Sequence, residues 1–260
     1  MGKFFSNLYP FKFPLFLLIT AFVCLLQCDF CHSAGSYYPD GSIYKELLRK
    51  YVKNEEVDYQ GFKRDEKLLD IYLDMMCQVE IEKLNFQEKK AYYINLYNAW
   101  TVKLILTRYP DIKSIKDIGN IFFTPWKQKI VKLKDKTISL DNIEHDILRK
   151  DFKDPRIHFA VNCASKSCPP LHLEPYYPDI LDEQLDNVAA AYINNPIKTY
   201  IKGNKLYVVM IFKWYGDDFN NDIKAFVRKY ATGEFKDKIE KNYNDLEVVF
   251  LEYDWSLNGK

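Results

Sequence analysis

Residues 87–110, "QEKKAYYINLYNAWTVKLILTRYP", set the tightest limit on the fold. The run is long enough for the longest helix of the chain, and Pro110 ends it because the residue before a proline avoids helical geometry. Ile94, Thr101, Val102 and Ile105 share a face of that helix. Asn98 sits in the same stripe, and Asn95 lies one turn earlier. Two amides on a mostly buried face are costly unless hydrogen-bonded. They are candidate binding residues in a polar floor under a pocket, or else they tie down loops.

The rest of the chain must wrap this helix. "SIYKELLRKYV" (42–52) is expected to be helical with Ser42 as N-cap, and "DEKLLDIYLDMMCQV" (65–79) forms a second helix with Cys77 on its apolar stripe. "KIVKLKDKTIS" (129–139) has the pattern of a hairpin. "SLDNIEHDILRKDF" (139–152) is a helix started by Ser139, with Glu144 inside its apolar stripe and His145 at the margin. "RIHFAVNC" (156–163) alternates as a strand does. Ile157, Phe159, Val161 and Cys163 would face one way and His158, Ala160 and Asn162 the other. A helix over 178–196, a hairpin over 198–212 around Gly203-Asn204, a helix over 221–232 closed by Gly233 and a strand over 247–257 complete the pattern. Helices first, then strands mixed with helices, predict an α+β fold with a helix-rich N-terminal half and a mostly antiparallel sheet.

The N-terminus is distinct. Lys3 and Lys12 precede "FPLFLLITAFVCLL", and "CHSAG" follows, which together have the form of a cleaved export signal over residues 1–34. The apolar run is short for a membrane span of about 20 residues. The alternative is a membrane tether through an uncleaved or lipidated leader. Residues 35–56 then form an N-terminal extension. Loss of residues 1–34 takes the formal net charge from +1 to zero, because Lys3, Lys12 and Asp29 go with them. A neutral chain with interspersed charges has no footprint for nucleic acid. No membrane span is expected in the mature chain, and the expected partner is a small-molecule or peptide substrate. Of the cysteines, Cys77, Cys163 and Cys168 remain, which is no disulfide framework.

Several motifs agree in order and spacing with one family. They are "VDY" (57–59), "AYYINLYNAWTVKLIL" (91–106), "SIKDIG" (114–119), "PWK" (125–127), "SLDNIEHDILR" (139–149), "DPRIHFAVNCASKSCPPL" (154–171), "FKWYGDDF" (212–219) and "YDWSLN" (253–258). On these residues the chain resembles the uncharacterised family called domain of unknown function 547, over about 57–258. The resemblance implies a single domain and supplies no activity. The mixed α/β make-up invites analogy with papain- and transglutaminase-type enzymes, an analogy of fold alone.

The chemistry centres on "VNCASKSCPP" (161–170). Cys163 opens a polar loop and is the candidate nucleophile of a cysteine-dependent hydrolase or acyl transferase. His145 can serve as base, with Glu144 or an asparagine orienting it, and Ser165 can help bind an oxyanion. His158 is a second base, but its spacing on a strand would turn it away from Cys163. Three other readings compete. A Cys163–Cys168 disulfide would make the loop a scaffold in a non-enzymatic binding or envelope-associated domain. Both thiols could instead be buried and inert. The spacing His158, Cys163, Cys168, His172 is unlike a zinc knuckle, so no metal and no cofactor is expected. Lys213, beside Trp214 and Tyr215, marks a packed strand end or a ligand platform, and Asp254 is a further candidate to orient a histidine.

Overall fold

In a computed structural model of the chain, described over residues 38–119 and 123–260, the long helix is the centre of the larger of two hydrophobic cores. Among the described residues four α-helices lead up to and include it: α1 (Ser42–Tyr51), α2 (Tyr59–Arg64), α3 (Glu66–Cys77) and α4 (Phe86–Leu106). Apolar side chains of α4 are buried on every side, from Ala91 and Tyr92 through Leu106, as expected of a helix enclosed by its neighbours. Its start is fixed by a capping box in which the Asn85 side chain accepts the Glu88 amide and Glu88 accepts the Asn85 amide. It ends at Leu106, ahead of Pro110. At α1, Asp40 rather than Ser42 accepts the first free amide. Cys77, at the last turn of α3, is half-buried rather than a core residue.

The second core lies between α5 (Leu181–Ile193), a three-stranded sheet, and the helices α7 (Ile223–Tyr230) and α8 (Gly233–Asn242). Strands β1 (Val52–Lys53) and β2 (Glu56–Val57) form a small antiparallel pair, as do β3 (Val131–Lys132) and β4 (Thr137–Ile138). In the larger sheet, β5 (Tyr200–Lys202) runs antiparallel to β6 (Lys205–Val208), pairing Tyr200 with Tyr207. The two-residue turn between them needs the left-handed backbone that Gly203 supplies (φ +63°). β7 (Glu247–Phe250) pairs with β6 in parallel. The architecture is therefore a single α+β domain with small, mostly antiparallel sheets, and Tyr37–Lys260 make up one compact unit. No helix among the described residues is long and apolar enough to cross a membrane. The residue 1–34 leader lies outside the described residues.

The strand expected over 156–163 does not form. Pro155–Phe159 is a turn of 3-10 helix, and residues 160–163 continue as irregular backbone. Asp154 accepts the Arg156 amide, and Pro155 stands at the first helical position, where its missing N–H costs nothing. The alternation carried no facial information because Ile157 through Asn162 are all buried. Two further differences follow from the same weakness of short patterns. "FKWYGDDF" forms the short helix α6 (Ile211–Trp214) and a 3-10 turn (Gly216–Phe219) rather than a strand end. Gly233 opens α8 rather than only closing α7, and the chain after Phe250 leaves the sheet.

Candidate active site

Residues 142–152 form a π-helix, whose turns are wider than those of the α-helix expected there. The Ser139 hydroxyl accepts the Asn142 amide at its start. The π-helix sends Glu144 and His145 into a cavity of about 330 Å³. Cys163, Cys168 and His158 line the same cavity, together with Tyr97, Trp126, Trp214, Tyr215, Tyr253 and Trp255. With the 3-10 turn in place of a strand, His158 and Cys163 face one space, and the spacing argument against their partnership no longer applies.

The Cys163 loop is held by buried amides. Asn98 donates to the Ala160 carbonyl (2.9 Å) and accepts the Asn162 amide (2.8 Å). Asn162 donates to the Pro169 carbonyl (2.7 Å) and accepts the Ala164 amide (3.0 Å) and the Asn258 side chain (3.3 Å). Tyr59 closes the chain of contacts by donating to Asn258 (2.7 Å). This frame holds Ala164 at φ +60°, a left-handed conformation that costs a residue with a Cβ about 1 kcal/mol. Asn95 does parallel work on the Tyr176 backbone, donating to its carbonyl (2.8 Å) and accepting its amide (2.8 Å). Both asparagines therefore spend their amides tying down loops, and neither lines the cavity.

Cys163 is half-buried and Cys168 is buried, and both are free thiols. Cys163 Sγ lies 3.2 Å from the Ser165 hydroxyl and 3.3 Å from the Tyr253 hydroxyl, which are 3.1 Å from each other. In the thiolate form both hydroxyls can donate to sulfur. Burial pushes the Cys163 thiol up, but contacts from Cys168, Ser165 and Tyr253 outweigh it and hold the thiol below its ordinary range. Cys168 goes the other way, driven up by burial and then by its neighbour Cys163. Its sulfur accepts the Cys163 amide at 2.8 Å, so that amide is not available to an oxyanion. Ser165, at 1% exposure, reaches sulfur rather than the open cavity.

The two histidines differ in what their rings can do. His145 Nδ1 lies 3.0 Å from Arg149, and an arginine can only donate. The lone pair of neutral His145 is therefore spent on Arg149, leaving its N–H on Nε2, which lies 3.6 Å from Asp141. His158 Nε2 instead meets the Asp218 carboxylate at 2.7 Å, a contact that needs the proton on Nε2 and, in the neutral ring, places the lone pair on Nδ1. The ring stacks on Tyr215 at 4.1 Å, which fixes its plane. Burial opposes charge on Asp218, but His158 and Arg149, bonded through both carboxylate oxygens, hold its carboxyl well below the usual range. Glu144 does not orient His145. Its two oxygens accept the Tyr215 hydroxyl (2.8 Å) and the Tyr97 hydroxyl (3.0 Å).

Lys213 is exposed, outside the cavity lining, with its ammonium 5.7 Å from the Phe250 ring. Asp254 accepts from the Ser256 amide and hydroxyl and contacts no histidine. Among the described residues no group of histidine, cysteine and carboxylate side chains is arranged to hold a metal ion. Asp218, Tyr253 and Arg149 are the residues that sequence reasoning missed. The paired aspartates of "WYGDDF", beside aromatic residues, were the signal for Asp218.

The family model described as "Protein of unknown function, DUF547" matches residues 81–193, so the resemblance read from the motifs holds over that stretch. The match includes Glu144, His145, His158 and Cys163 but not Asp218 or Tyr253. No curated protein and no solved structure matches the chain.

Proposed function

We propose that this chain is a cysteine-dependent hydrolase or acyl transferase, with Cys163 as nucleophile and His158, oriented by Asp218, as base. One observation carries the reading. A half-buried thiol with two hydroxyls within hydrogen-bond distance of its sulfur shares a cavity with an imidazole whose Nε2 is fixed by a carboxylate. This is the arrangement that activates a thiol, which otherwise is only slightly ionised near neutrality.

No hydrogen bond joins Cys163 to either imidazole, so the proton would pass to His158 Nδ1 through one water or on closure around substrate. The thiolate attacks a carbonyl carbon, and the C–S bond forms as the carbonyl electrons move to oxygen. Collapse expels the leaving group, which takes the proton from His158. Water, deprotonated by His158, then releases the acyl group and restores the thiol; another nucleophile in place of water gives transfer. His145, engaged by Arg149, contributes as part of the cavity wall rather than as the base. Export or tethering through residues 1–34 completes the proposal, and fractionation of cells expressing the tagged chain tests it.

The thiol is tested by alkylation with iodoacetamide across pH 5 to 9, read residue by residue. The expected result is Cys163 modified ahead of Cys77, with a midpoint below the ordinary thiol range near 8.5, and slower modification in His158→Ala. Modification of Cys163 no faster than Cys77 overturns the proposal. Silence that is relieved by reductant would instead support a Cys163–Cys168 disulfide in a binding domain.

A further inference from the structure

Two other carboxylates drawn in from solvent have cationic partners. Asp154 is paired with Lys90 and Arg156, and Asp218 with Arg149 and His158. Glu144 differs from both. It is 8% exposed and lines the cavity, yet it has no ion pair among the described residues. Its partners are two neutral tyrosine hydroxyls. A withdrawn carboxylate without a counter-ion is unfavourable, and each oxygen keeps a second acceptor site. Arg149, on the same helix, does not fill the gap. Arg149 is committed to Asp218 and packs its guanidinium 4.7 Å from the Tyr215 ring centre.

The cavity walls point the same way. Among the described residues six aromatic side chains line it: Tyr97, Trp126, Trp214, Tyr215, Tyr253 and Trp255. Aromatic faces attract cations. Trp255 already does so within the protein, with the Lys116 ammonium 3.7 Å from its ring centre. Asp141 adds a second carboxylate to the lining, and among the described residues Lys127 is the only lysine or arginine in it.

We propose that the cavity selects substrates carrying an ammonium group, which pairs with the unneutralised Glu144 carboxylate against the surrounding aromatic faces. Glu144 is then a specificity residue, and the substrate class of the proposed reaction becomes amine-bearing acyl compounds such as aminoacyl esters or peptides with a free amine. The inference rests on that reaction for the identity of the acyl group, but the ammonium site stands or falls separately.

The experiment measures binding, not turnover. The full chain with Cys163→Ala is titrated with n-butylammonium, 1-butanol and butyrate, read by tryptophan fluorescence and calorimetry. Butylammonium is expected to saturate, at least about tenfold tighter than butanol, with butyrate weakest. Glu144→Gln should remove that preference and leave butanol binding unchanged. Equal affinity for the three probes, a preference for butyrate, or a preference that survives Glu144→Gln overturns the proposal. Should Glu144→Gln fail to fold, the ranking of the probes on the Cys163→Ala chain still decides. Failure of the thiol chemistry would appear as unselective alkylation with the ammonium preference intact, so the two failures are distinguishable.

Discussion

Asn162→Ala tests the frame that presents the nucleophile. Asn162 is 2% exposed, and its side chain makes the bonds to Pro169, Ala164 and Asn258 described above. Truncation to alanine removes all three and leaves the Pro169 carbonyl and the Ala164 amide without partners in the interior. A buried group left unsatisfied costs about 1–3 kcal/mol, so the loss should total about 3–5 kcal/mol. For a domain of this size each kcal/mol lowers the melting temperature by about 2–4 °C, which gives a fall of about 6–20 °C. Thermal unfolding by circular dichroism measures it. The Ala164 backbone, no longer held at φ +60°, should also relax and change the alkylation rate of Cys163. A melting temperature within about 2 °C of the parent, with the alkylation rate unchanged, would refute the idea that the asparagine frame sets the loop.

Asp218→Asn should slow Cys163 alkylation near neutral pH, because an amide does not stabilise the imidazolium that His158 becomes. It should also flatten the acid side of the stability curve. The native Asp218 carboxyl is held below its unfolded range, so its stabilising contribution is present above about pH 4 and is lost as pH falls through the lowered value. Tyr253→Phe removes one donor from the Cys163 thiolate. The alkylation midpoint should rise by about one to two pH units, since a hydrogen bond to a charged group is worth about 1.5–3 kcal/mol. Lys90→Ala removes one of the two cations from the Asp154 carboxylate, which Arg156 still holds, and should cost about 1.5–3 kcal/mol in a denaturant titration. An unchanged midpoint in any of these three measurements counts against the role given to that residue.

The parts of the fold set by long patterns were legible in the sequence. The run from 87 onward forms α4 because a stretch of that length with apolar residues on all sides has only a buried helix available. Gly203-Asn204 marked its hairpin because only a left-handed backbone closes so short a turn. Short patterns failed where burial is complete. "RIHFAVNC" alternates by residue type, yet every residue from Ile157 to Asn162 is buried, and the Asp154-Pro155 start decided for a 3-10 turn. That misreading turned His158 away from Cys163. The pairing of His158 with Asp218 joins residues 60 positions apart through packing of Tyr215 and Phe219, and no local pattern encodes it. Cys163, His145 and Glu144 were legible as cavity residues because thiols, imidazoles and carboxylates next to apolar stripes demand an explanation. Their division of labour was not, since it depends on which ring nitrogen faces Arg149 and which oxygens face Tyr97 and Tyr215.

Covalent capture of an acyl group is the most direct measurement of whether Cys163 is a nucleophile. The chain is mixed with p-nitrophenyl acetate near neutral pH and its intact mass is followed alongside nitrophenolate release. The expected result is a burst of nitrophenolate, one acetyl group located as a thioester on Cys163, and loss of both in Cys163→Ala. A chain that stays unmodified, or acetylation that persists in Cys163→Ala, would contradict the thiol mechanism.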